Sequence, residues 1–96
     1  MVMQVWVRNG WRDIVKDAAT RLDHLDVPVL EAREKLGQLR IHVPAKHVRR
    51  PDVQTIFREA ADRASRTCDL CGAPGRLRQS PTLAVRCDQH AQTNPD

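Results

Sequence analysis

Aromatic residues are nearly missing: the 96 residues include two Trp, one Phe and no Tyr. A core built from this chain must therefore be aliphatic, and base stacking on aromatic platforms has little to work with. Cysteine is scarce too, at three. An odd number leaves one thiol over in any disulfide framework, which points away from a stapled secreted scaffold and toward a reducing compartment. Long apolar runs are absent. The apolar stretch at residues 1–7 is too short for a membrane span and lacks a basic leader or small-residue cleavage site. The chain is expected in the cytoplasm, with no membrane partner. There is no charged tail either. The net charge is +4, and its basic and acidic residues are spread evenly along the chain. That modest excess excludes a polybasic arm. Gly-rich phosphate loops, a nucleophile elbow, a His-Glu-x2-His helix and a deaminase signature are all missing, so the chain is expected not to be an enzyme.

What is present begins with two helical stripes. Trp11, Ile14, Val15, Ala18, Ala19, Leu22 and Leu25 recur at helical spacing, which predicts an amphipathic helix of about four turns ending by Pro28. Val53, Ile56, Phe57, Ala60, Ala61 and Ala64 repeat that spacing behind Pro51, a residue suited to a first helical turn. Glu59 with Arg63 and Asp62 with Arg66 are expected i,i+4 pairs on this second helix.

Around these stripes lie shorter elements. Val-rich residues 2–7 suit a short strand. Residues 29–36 consist mainly of helix formers, with Gly37 a C-terminal cap, and Leu39–Val43 alternates as a half-buried strand. A hairpin turning at Leu36-Gly37-Gln38 is the competing reading, with Gly37 supplying a positive φ. Lys46, His47, Arg49 and Arg50 make a basic connector.

The strongest signal is Cys68-x2-Cys71, fifteen intervening residues, then Cys87-x2-His90. Two ligand pairs, each presented by one tight turn, match the tetrahedral Zn²⁺ pattern. All three cysteines are used, and His90 completes the set. One structural zinc is expected, with Cys68, Cys71, Cys87 and His90 as ligands. Four protein ligands close the site, whereas catalytic zinc keeps a position open. Three thiolates around one Zn²⁺ lower the net charge to about +3.

The expected fold class is α+β. Two amphipathic helices with a small hairpin or strand occupy residues 1–66. A zinc-knuckle and β-hairpin module of zinc-ribbon or treble-clef type follows at 67–96 and packs on them.

Four motifs carry a resemblance: Gly10-Trp11; the run from Arg33 to Arg40; Cys68-Asp69-Leu70-Cys71-Gly72-Ala73-Pro74-Gly75; and Cys87-Asp88-Gln89-His90. Together they resemble a family of small, largely uncharacterised bacterial and phage-encoded zinc-ribbon-like proteins with a Lys-Glu-Lys-Phe-Gly-x-Leu-Arg motif. Leu36 stands in place of the Phe, and Leu83-Ala84-Val85 lacks the Trp often seen before the third ligand. The resemblance implies the hairpin reading of residues 29–43 and a structural zinc module.

Two functions compete. The first is a protein-binding adaptor or regulator, with Arg76, Arg78 and Arg86 on the zinc hairpin as interface anchors. The second is a nucleic-acid-binding module, in which those arginines and the basic connector (Lys46, Arg49, Arg50) meet phosphates. Mixed-sign surface charge favours the first. The resemblance adds a host-interaction role to it by analogy.

Overall fold

The computed structural model describes residues 3–92. Its elements are β1 (Gln4–Trp6), α1 (Arg12–Asp23), β2 (Glu31–Lys35), β3 (Gln38–His42), α2 (Pro51–Ser65), β4 (Arg76–Arg78) and β5 (Ala84–Arg86). Single 3-10 turns lie at Asn9–Trp11, Ala45–His47 and Asp88–His90. This is an α+β chain. None of its described helices is long and apolar enough to cross a membrane.

β1 pairs in parallel with β2, and β2 in antiparallel with β3, so β1 and β3 are the edges of a three-stranded sheet. β4 and β5 form a separate antiparallel pair. The hairpin reading of residues 29–43 holds and the helix-then-strand reading does not. Glu31–Lys35 is a strand despite its helix formers. Pairing on both of its edges outweighs a local preference worth only tenths of a kcal/mol per residue. Leu36 and Gly37 make the two-residue turn, with φ of 54° and 81°. Positive φ at both positions is the type I′ geometry whose twist matches the flanking strands.

α1 is shorter than the apolar stripe implies. It stops at Asp23, and Leu25 lies beyond it. Asp26 takes a left-handed φ of 59°. The Val27 N–H then returns to Leu22 O at 2.9 Å, and the Asp26 N–H to Asp23 O at 3.0 Å. These two bonds are a Schellman cap, and Leu22 and Val27 are both buried in the core.

One core joins the whole molecule. Trp11, Ile14, Val15, Ala18 and Leu22 of the first stripe meet Val53, Ile56, Ala60 and Ala64 of the second, with Ala32 and Leu39 from the sheet. Val85 of β5 belongs to the same cluster, so the C-terminal hairpin contributes to the core. Of the two expected i,i+4 pairs, Asp62–Arg66 forms, at 2.6 Å. Glu59 instead reaches Arg21 of α1 at 2.7 Å, and Arg63 reaches Asp17 at 2.7 Å. α1 packs beside α2, so Glu59 and Arg63 pair with opposite charges across the two helices and not with each other.

Candidate metal centre

The four ligand atoms come from two tight turns. At the first, the Gly72 N–H bonds back to Cys68 O at 2.9 Å and the Cys68 N–H to Ala73 O at 2.8 Å. Gly72 turns at φ 85°, a conformation open to glycine at no steric cost. The second turn is the 3-10 segment after Cys87, where the His90 N–H bonds to Cys87 O at 3.1 Å.

These turns converge. The ligand atoms of Cys68, Cys71, Cys87 and His90 all lie within 4.8 Å of one another. Cys71 Sγ is 3.7 Å from Cys87 Sγ, and His90 Nδ1 is 3.7 Å from Cys68 Sγ and 3.3 Å from Cys87 Sγ. Metal–sulfur bonds of about 2.3 Å and metal–nitrogen bonds of about 2.0 Å put the corners of a tetrahedron roughly 3.5–3.8 Å apart. The four residues expected from spacing can therefore hold one metal ion.

The electrostatics suit a cation. Burial opposes ionisation of Cys68, but the N–H groups of Cys87, Cys71 and Leu70 and the His90 ring outweigh it and bring the thiol down to about 6. At Cys71 the Ala73 N–H pulls downward, yet desolvation and the neighbouring Cys68 and Cys87 sulfurs push the thiol up. Sulfurs this close repel one another as thiolates, and a bound cation removes that conflict.

Behind the ligands lies a buried ion pair. Arg86 Nε donates to Asp69 Oδ1 at 2.6 Å, with both side chains almost wholly enclosed. Asp69 follows the first ligand and Arg86 precedes the third, so the pair ties the two ligand turns together. Burial drives the Asp69 carboxyl upward, against the pull of Arg86.

This corrects the expected surface role of Arg86, which is 1% exposed. The period-2 rule fails there because β5 is covered on both faces. Arg78 is also largely taken inward: its Nη2 donates to Asp88 at 2.8 Å and its Nε to Arg86 O at 3.2 Å. The Arg78 guanidinium holds the Asp88 carboxyl below its usual range. Arg76 stays exposed.

In the connector, Lys46 and Arg49 are exposed, whereas Arg50 pairs with Asp52 at 2.8 Å. The connector enters α2 and the metal turns leave it, at opposite ends of a 15-residue helix. Such a helix is about 22 Å long. The two basic groups are not brought together by their elements.

Three positions that support the site had a weaker signal in the sequence. Gly10 docks the first ligand turn: its N–H bonds to Asp69 O at 2.9 Å, and a Cβ there would lie 2.0 Å from Cys68 O. The Trp11 indole donates to Thr67 O at 2.8 Å. The adjacency of Gly10 and Trp11 was visible as a motif, but not its purpose. Asp69 was visible as an acid between two thiolate ligands, a placement that needs a nearby cation.

The fold and site define an α+β chain whose C-terminal hairpin carries a Cys3His group able to hold one metal ion. No family model, no curated protein and no solved structure matches it.

Proposed function

We propose that this chain is a non-catalytic adaptor that binds another protein and is held in shape by one structural Zn²⁺. The donor set supports zinc. Three soft sulfurs and one imidazole at tetrahedral separations suit Zn²⁺, and histidine ligation is the exception at iron–sulfur sites. With four protein ligands the ion has no open position for water or substrate, so its part is to clamp β4 and β5.

One observation carries the protein-binding reading. Leu36, Leu77 and Leu83 are 67%, 48% and 37% exposed. They come together where the two hairpins meet: a Cβ on Gly37 would lie 2.6 Å from Leu77 Cδ1, with Leu83 O 3.9 Å away. Exposed leucines gathered at one place mark contact surface, unlike singly scattered ones. The nucleic-acid reading is weakened, since Arg78 and Arg86 are engaged with Asp88 and Asp69. A reducing cytoplasm, which keeps the thiols free for zinc, and the bacterial or phage resemblance both accord with an intracellular host-interaction role.

The test is crosslinking in the native cell with a tagged chain, alongside a Leu77→Asp variant. Metal analysis should give one zinc per chain. A protein partner should be captured by the parent chain and lost in the variant. Recovery of nucleic acid without protein, together with a low-salt gel shift, would overturn the reading.

A further inference from the structure

β3 presents one edge to β2 and no strand to the other, among the described residues. Beside that outer edge runs a groove of about 470 Å³. It is lined by every residue from Gly37 to His42 and by Phe57, Arg58, Ala61 and Ser65 of α2. A cavity over a sheet face touches alternate residues of a strand, because side chains alternate. A cavity touching six in succession lies along the strand edge, here between β3 and the flank of α2.

The chemistry of the lining is one-sided. Leu39, Ile41, Phe57 and Ala61 make it apolar, and Arg40, Arg58 and His42 supply cationic or titratable groups, with no Asp or Glu. Arg40 donates to Gln38 at 2.8 Å and Arg58 to Thr55 at 3.3 Å, both neutral acceptors. Neither guanidinium makes an ion pair among the described residues. The nearest acids stand on the β2 side: Glu34 Oε2 accepts the Gly37 N–H at 2.6 Å, and Glu31 lies 4.0 Å from His42.

We propose that the β3 edge takes an extended acidic segment of a partner protein as a fourth strand. Backbone groups of the segment complete the β3 ladder, and its alternate apolar side chains enter the groove toward Phe57 and Ala61. Carboxylates on its other positions share the sheet face of Arg40, while Arg58 of α2 lines the groove and meets a carboxylate at the end of the segment. A basic segment would face two guanidiniums with nothing between, which gives the site its selectivity. The inference rests on the reading that the chain binds proteins, and names the partner's chemistry at a second surface.

The test uses the full zinc-loaded chain and a labelled synthetic octapeptide alternating glutamate and isoleucine, followed by fluorescence anisotropy. Three comparisons accompany it: a lysine–isoleucine octapeptide, the acidic peptide N-methylated along one edge, and the chain with Arg40→Glu and Arg58→Glu. The acidic peptide should bind saturably, and the other three pairings at least roughly tenfold more weakly. Both arginines are exposed, so the variant should keep the parent melting temperature. If it does not fold, the two peptide comparisons decide alone. Equal binding of the lysine or N-methylated peptide overturns the proposal. So does a sedimentation result in which the chain dimerises and the charge-reversed variant is monomeric, since the edge then belongs to a second copy. The variant also separates this inference from the adaptor reading. If it still captures the native partner while the peptide fails to bind, the β3 proposal falls and protein binding stands. If no protein is captured by the parent chain, the adaptor reading itself falls.

Discussion

At the scale of single residues, charge and space decide which substitutions matter. Arg86 and Asp69 are enclosed together, so removing one strands the other in a low-dielectric interior. Arg86→Met should cost about 3–5 kcal/mol in denaturant unfolding of the metal-loaded protein, whereas the double change with Asp69→Asn should cost less than the two single changes summed. Strictly additive losses would show that the pair is not coupled. Gly10 presents the opposite case, one of space alone. A methyl group there would sit 2.0 Å from backbone oxygen of the metal turn, and backbone cannot rotate aside as a side chain can. Gly10→Ala should therefore detach the turn and lower stability by about 1–3 kcal/mol. A melting temperature equal to that of the parent would mean that the turn re-seats freely.

At the scale of elements, the β2–β3 hairpin holds the most instructive conflict. Its turn needs positive φ twice, and Leu36 occupies the first position at 54°. A left-handed conformation costs an L-residue about 1–2 kcal/mol, and asparagine tolerates it better than leucine. Leu36→Asn should accordingly raise stability by about 1 kcal/mol while weakening partner capture, because the same leucine lies in the exposed apolar cluster. A destabilised variant would refute the strain argument. The hairpin also marks where sequence patterning stops informing. Arg33 and Lys35 are exposed helix formers, Glu31 and Glu34 are half-buried ones, and Ala32 is the single buried residue of β2, so neither period nor propensity signals a strand. Its identity comes from neighbours on both sides, which are nonlocal. The helical stripes were readable because burial on one helix face imposes a local period. The end of α1 was less so, since an Asp in the left-handed region, rather than Pro28, stops it. The ligand set was the most readable feature, because metal geometry constrains spacing within each turn. The fate of Arg78 and Arg86 was not readable, since it depends on which strand faces are covered.

At the scale of the whole molecule, the question is whether the metal stabilises only its own hairpin or the entire chain. A division at residue 66 predicts local melting of residues 67–92 on chelation. The contacts argue for more. Val85 sits in the same core as both helices, Trp11 bonds to Thr67, and Gly10 bonds to Asp69. The magnitudes agree. Structural zinc contributes an apparent 10–16 kcal/mol or so at neutral pH, whereas a domain of ordinary stability has about 5–15 kcal/mol in total. A chain of 96 residues with an aliphatic core has little margin to lose. Stripping the metal, or Cys68→Ser or Cys87→Ser, should thus abolish one cooperative transition for the whole protein. The Trp11 indole N–H is the reporter, since it is fully buried and hydrogen-bonded in this fold. After chelation its amide-region NMR signal should collapse to the random-coil position together with those of α1 and α2. If Trp11 stays protected while residues 67–92 alone lose dispersion, the helices fold without the metal and the clamp is a separate unit. Re-addition of zinc should restore the original spectrum, which separates loss of the clamp from irreversible thiol oxidation.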